Sequence, residues 1–136
     1  SVVRRQRQMC IRDSIYERLR FEAPIEVIPA ITGMSAAWTA TGLPITWGDN
    51  ILTILTGTLS KEVLVDKIST TDAAVIMKVG QNLDKIRAAI ILAERESDAF
   101  IVEYAAMSNQ SVCKLVEYTK AVAPYFSIIV LHGEAK

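Results

Sequence analysis

The sequence predicts an α/β fold, an open mixed sheet with flanking helices, on three observations. The first is the stretch from Asp72 to Ala93. Its apolar run Ala73–Met77 suits a strand covered on both faces and gives way, across Lys78-Val79-Gly80-Gln81-Asn82, to a helical stripe of Leu83, Ile86, Ile90 and Ala93. The second is that such switches recur, in the order β, α, β, α, β, α, β, a minor strand and β. The third is a hydrophobic content of 51% in 136 residues, enough for one core, in which no apolar stretch reaches the roughly 20 residues that cross a bilayer.

Taken in order, residues 1–14 (SVVRRQRQMCIRDS) are basic, without a clean period, and join abruptly to the segment after them. They read as a non-native adapter-derived tail, which leaves 15–133 as the domain; the alternative is a basic recognition arm. Ile15 to Leu19 has the pattern of the last turns of a helix. Ile25 to Ile28 is strand-like, with Pro29 as its limit. Met34 to Ala40 is dense in small residues, which lets a helix lie close to a sheet. Thr32 or Ser35 is placed to cap it, and Gly42-Leu43-Pro44 stops it.

Asn50 to Leu55 is the next β-rich run. Ser60 then caps a helix ending near Ile68, with Leu59 and Leu64 spaced as a hydrophobic staple. After the central strand, Asn82 is placed to cap the next helix. Ala99 to Glu103 is a fourth strand, Val112 to Val116 a short edge strand, and Tyr125 to Leu131 the strongest strand pattern, opened by Pro124. In such sheets ligands favour the carboxyl ends of strands, where Pro29 to Gly33, Lys78 to Asn82 and Glu103 to Asn109 would gather.

Charge and motifs narrow the chemistry. Fifteen basic residues balance fifteen acidic ones, so the footprint of a nucleic-acid binder is missing. Cys10 and Cys113 form neither a disulfide framework nor a metal spacing, and a soluble cytoplasmic protein is the expected class. There is no dinucleotide fingerprint, phosphate loop or nucleophile elbow. His132, the sole histidine, reads as a tail or surface residue, and Cys113 as a small apolar filler. Lys78 suits either an anionic ligand or simple solvation at a strand end. Glu103 is equally open between a ligand contact and a structural charge. Trp38 and Trp47 read as core packing, with an aromatic ligand face as the other reading. The residues by themselves reach a ligand-binding α/β domain and no reaction.

Three segments carry more. Residues 28–59 (IPAITGMSAAWTATGLPITWGDNILTILTGTL), 72–90 (DAAVIMKVGQNLDKIRAAI) and 123–133 (APYFSIIVLHG), in this order and spacing, resemble the tetrapyrrole (corrin/porphyrin) methylase family, specifically its C-terminal domain. The resemblance covers about Ser14 to Gly133. It implies two α/β domains with S-adenosyl-L-methionine in the cleft between them, a homodimer when full length, and an N-terminal domain outside this chain. The implied reaction is methyl transfer to C20 of precorrin-2 in cobalamin biosynthesis, or to the cobalt-containing counterpart of that tetrapyrrole. The fragment alone is expected to be inactive, and a non-catalytic domain binding a nucleotide-like ligand is the rival expectation.

By resemblance, Pro29, Ile31 and Thr32 lie before the helix that lines the cofactor cleft, and Ser35 and Ala36 open it. Met77, Lys78, Val79 and Gly80 match an adenosine-side loop, Ala105 and Met107 the next loop, and Pro124, Tyr125, Phe126 and Ser127 the last. Residues 104–110 (YAAMSNQ) depart from the family's usual pattern there. The resemblance names no general base and no metal.

Overall fold

A computed structural model describes residues 11–134. Nine regular elements follow in order: α1 (Ile11–Leu19), α2 (Gly33–Ala40), β1 (Leu52–Thr56), α3 (Lys61–Thr70), β2 (Ala73–Met77), α4 (Leu83–Leu92), β3 (Ala99–Glu103), β4 (Ser111–Lys114) and β5 (Ser127–Leu131). The strands form one sheet in the order β1-β2-β5-β3-β4. β1 and β2 are parallel, and the other pairings are antiparallel. Since β5 opposes both β2 and β3, the strands β1, β2 and β3 all point one way and β4 and β5 the other. The expected open mixed sheet is therefore present.

Period-two alternation sorts the side chains onto two faces. Leu55, Ala74, Ile76, Ile101, Ile129 and Leu131 turn toward α3 and α4, where Leu64, Ile68, Leu83, Ile86, Ala89 and Ile90 complete the main core. Truncating one of these isoleucines to alanine costs about 2–5 kcal/mol. Val102 and Val130 turn the other way, onto Ala37 of α2, with Trp38 and Ile45 packed beside them. Ser60 caps α3 by accepting from Val63 N at 3.4 Å, and Thr32 caps α2 by accepting from Ser35 N at 3.2 Å.

Four expectations are corrected. Ile25 to Ile28 forms no strand; it is exposed irregular chain between Pro24 and Pro29, with no sheet neighbour to satisfy its backbone. Asn82 does not cap α4. A short 3₁₀ turn, Gly80–Asn82, feeds directly into the helix, and the Asn82 Nδ2 instead donates to the Lys78 carbonyl at 3.0 Å. The edge strand ends at Lys114, where Leu115–Glu117 tightens into another 3₁₀ turn. His132 is no surface residue: it is 7% exposed, its Nδ1 donates to the Pro44 carbonyl at 2.8 Å, and its ring meets Phe100 edge-on.

Of the N-terminal tail, residues 1–10 lie outside the described residues. Residues 11–14 belong to α1, continuous with the helical turns expected from Ile15 to Leu19. No described helix is long and apolar enough to cross a membrane.

Candidate functional site

Strand direction decides where ligand-facing loops collect. The carboxyl ends of β1, β2 and β3 share one rim with the amino ends of β4 and β5. Backbone hydrogen bonds stitch this rim from loop to loop. Gly57 N donates to Met77 O at 2.7 Å, Ala123 N to Gly80 O at 3.2 Å, and Tyr104 N to Phe126 O at 2.8 Å. Helix α2 runs alongside β5. Its first residue, Gly33, faces Ile128 near the strand's start, while Thr41 just past its end lies 3.0 Å from His132 just past the strand's end. The N-terminus of α2 therefore opens on the same rim.

Among the described residues, three of the four non-glycine residues with left-handed backbone sit here: Lys78 (φ 55°), Tyr104 (φ 51°) and Ala106 (φ 61°). Each costs on the order of 1–2 kcal/mol relative to ordinary backbone, a cost that persists only where surroundings over-determine the conformation. Gly57 shows how tightly the rim is built. A Cβ there would lie 2.7 Å from both the Lys78 carbonyl oxygen and the Ile86 Cδ1, so only glycine lets the β1 turn approach the Lys78 loop.

The structure brings the sequence-predicted loops Met77 to Gly80, Ala105 to Met107 and Pro124 to Ser127 together along this rim. Thr32, Ser35 and Ala36 lie half-buried at the start of α2. Ile31 is 81% exposed, and Lys78, Met107, Tyr125 and Phe126 also face solvent. Val79 is completely buried, main chain included, and anchors its loop in the main core. Ser127 is also buried, and its Oγ has no hydrogen-bond partner. Among the other candidates, Trp38 packs against the smaller core as expected, Trp47, expected in the core, is instead exposed, and Cys113 fills space beside the main core.

Glu103, left open by the sequence, is 4% exposed and directly opposite Ser127 on β5. Its Oε1 accepts from the Tyr118 hydroxyl, and Lys120 Nζ lies 2.9 Å from both of its oxygens. Burial pushes this carboxyl up, but the Tyr118 hydroxyl and the Lys120 ammonium outweigh burial and hold it below the ordinary glutamate value. Burial, followed by the bond to Glu103 and its charge, raises the Tyr118 phenol well above its usual range. Sequence reasoning missed Tyr118 and Lys120, because their partner is 15 and 17 residues away and no local pattern marks the pairing.

Among the described residues no cluster of histidine, cysteine and carboxylate side chains could hold a metal ion. The rim offers small residues, main-chain polar groups, exposed aromatic and thioether surface and the exposed Lys78 side chain. That combination suits an organic ligand with both apolar surface and polar edges.

The chain belongs to the tetrapyrrole (corrin/porphyrin) methylases, whose family model matches residues 11–119. It is 43% identical over 119 residues to a precorrin-2 C(20)-methyltransferase of Sinorhizobium sp., an alignment covering 88% of this chain and 49% of that protein. It is 36% identical over 114 residues to the cobalamin biosynthesis protein CobIJ of Mycobacterium tuberculosis, covering 84% of this chain and 22% of the relative. This chain thus spans about half, or less, of these curated relatives.

Solved structures agree on the fold. Cobalt precorrin-4 methyltransferase CbiF superposes with a TM-score of 0.70 at 16% identity, covering 90% of this chain and 58% of that one. Uroporphyrin-III C-methyltransferase from Thermus thermophilus, complexed with S-adenosylhomocysteine, superposes with a TM-score of 0.59 at 20% identity, covering 92% and 62%.

Proposed function

We propose that this chain is the C-terminal domain, residues 15–133, of an S-adenosyl-L-methionine-dependent methyltransferase acting on C20 of precorrin-2. The observation that carries the reading is the convergence of four segments on one rim: the capped start of α2 and the loops after β2, after β3 and before β5. The 43% identity to a precorrin-2 C(20)-methyltransferase supports the choice of substrate.

In this reading Ile31, Thr32, Ser35 and Ala36 border the cofactor on the α2 side. Met77, Lys78 and Gly80 meet it, and Val79 anchors their loop from the core. Ala105, Met107, Pro124 and Ser127 line the remaining loops. The left-handed residues Lys78, Tyr104 and Ala106 fix the course of these loops, and the buried Ser127 holds the start of β5 beneath them. The cofactor supplies an electrophilic methyl on a sulfonium. This domain orients it and excludes water, so its contribution to rate is positional. Glu103 is committed to Tyr118 and Lys120, and no general base is assigned to this domain.

We further propose a homodimer for the full-length protein, located in the cytoplasm. The exposed apolar residues Val27, Ile28 and Ile31 support burial of that segment against another domain or copy.

Titration calorimetry of the full-length protein with S-adenosylhomocysteine tests the cofactor assignment: saturable one-site binding is expected, and no heat of binding rejects it. Incubation with S-adenosyl-L-methionine and either precorrin-2 or its cobalt-containing counterpart, with the new methyl located by NMR, tests the substrate. A methyl at any carbon other than C20 rejects the regiochemistry, and turnover of only the cobalt form transfers the assignment to that substrate. The commitment of Glu103 elsewhere favours a second reading, a non-catalytic domain for a nucleotide-like ligand. Binding without turnover on either tetrapyrrole selects it.

A further inference from the structure

Glu103 sits where two ligand-facing loops originate, and its partners do not belong to either of them. It is the last residue of β3, immediately before the left-handed Tyr104 and Ala106. Tyr118 and Lys120 belong to the returning chain that leads to Pro124 and β5. A carboxylate so buried would be costly if unpaired, and here all its bonds come from this one segment. The bonds therefore fix the distance between the return segment and the end of β3.

Two further bonds hold the loops, of which the first crosses the same gap. Tyr104 N donates to Phe126 O at 2.8 Å across the two loops, and Ala106 N donates to Gln110 Oε1 at 2.7 Å within the first. Neither Tyr104 nor Ala106 is glycine, so their left-handed backbone needs an external hold. We infer that the Glu103–Tyr118–Lys120 clamp is a positioning device that locks the Tyr104–Met107 loop and the Pro124–Ser127 loop in one mutual arrangement, and thereby sets the affinity of the rim for its ligand. The role in affinity rests on the cofactor reading above; the role in loop geometry does not.

The groups facing Glu103 are Tyr118, Lys120, the Ser127 hydroxyl across the ladder, and Cys113, whose thiol burial, Glu117 and Glu103 push up. The clamp needs the carboxylate ionised. It is intact above the ordinary glutamate pKa and is lost as pH falls through the lowered value that Glu103 has in the fold.

The test uses two variants, Glu103→Gln, which keeps the volume, and Tyr118→Phe, which removes only a hydroxyl. Amide hydrogen exchange by NMR is the first readout. Protection at Tyr104 and Ala106 is expected to fall about tenfold while Val75 and Ile90 keep theirs, because local opening is separable from global unfolding. Lowering the pH should reproduce the loss in the wild type and add nothing in Glu103→Gln. Unchanged protection, or a loss shared equally by Val75 and Ile90, overturns the inference; Tyr118→Phe decides it if Glu103→Gln does not fold.

The second readout is S-adenosylhomocysteine affinity of the full-length protein, expected to weaken about tenfold, the scale of one lost hydrogen bond to a charged group. Equal affinity with loosened loops overturns the link to binding. A wild type that binds no S-adenosylhomocysteine removes the cofactor reading, while the exchange experiment still decides the clamp.

Discussion

The two ends of the sheet are built on opposite plans. At the end away from the rim, Arg95 directs all five of its N–H donors at fixed acceptors. Nε donates to Asp98 Oδ2 at 2.6 Å, Nη1 to the Ile68 and Thr71 carbonyls, and Nη2 to the Asp72 and His132 carbonyls. One side chain there joins the end of α3, the approach to β2, the turn before β3 and the exit of β5. His132 adds a second pin through Pro44 and Thr41. At the rim the loops, three of whose residues are left-handed, are tied by single backbone bonds and by separate side-chain bonds from Asn82, Gln110 and the Glu103 clamp. One end is pinned by a single cation that reaches four elements, and the other by separate ties that hold strained loops.

The largest expected effect tests the pinned end. Arg95→Met should destabilise the domain by about 3 kcal/mol, since several buried carbonyls lose a charged donor at once. Denaturant titration measures it, and Arg95→Lys should recover little, because an ammonium cannot reproduce the guanidinium fork. If Arg95→Met costs under about 1 kcal/mol, the contrast between the two ends is wrong.

Next is Gly57→Ala at the rim. Its new methyl meets the Lys78 carbonyl and Ile86, so a cost of about 1–3 kcal/mol is expected. NMR shift changes should centre on Lys78 to Asn82; changes spread evenly through the sheet would contradict a rim of individually held loops.

A smaller effect concerns pH. Wild-type stability should fall in acid more steeply than that of Glu103→Gln. The unfolded glutamate takes up its proton at a higher pH than the folded one, and the clamp is gone once pH drops below the lowered folded value. Superimposable stability profiles for the two proteins would show that Glu103 is not held by its partners.

The smallest returns to the fourth left-handed residue. Glu94 (φ 56°) ends α4, donating from its N–H to Ile91 O while Arg95 N donates to Ile90 O, the arrangement in which glycine is favoured. Glu94→Gly should therefore stabilise the domain by about 0.5–1 kcal/mol. Tyr104→Gly, by contrast, should weaken ligand binding at the rim even where stability rises. Equal, ligand-neutral gains at both positions would erase the distinction between a helix end and a functional loop.

Elements whose signals are local were legible in the sequence. The strand Ala73–Met77 and the Ser60 and Thr32 caps lie where composition and spacing put them. The stripe Leu83, Ile86 and Ile90 is buried as its period requires. Ile25 to Ile28 misled because β-propensity reports fitness for a pleated surface, and this segment has no neighbour to pair with. His132 misled because its burial comes from Pro44 and Thr41, about ninety residues earlier, which no window detects. The site loops were located through resemblance, whereas the features that hold them, the Gly57 approach and the Tyr118 and Lys120 bonds, are long-range or geometric and left no mark in the pattern.

The strand order β1-β2-β5-β3-β4 also governs how the molecule assembles. β5 comes after the other four strands in sequence yet lies between β2 and β3. Without β5 the sheet divides into two parts, a β1–α3–β2–α4 unit and a β3–β4 hairpin, whose facing strands β2 and β3 lack a neighbour. Both pairings of β5 are non-local, and such contacts slow folding, which leaves an interval before β5 docks. During that interval the edges of β2 and β3 are open to strand addition from other chains, so substitutions that delay β5 should promote aggregation before they measurably lower equilibrium stability.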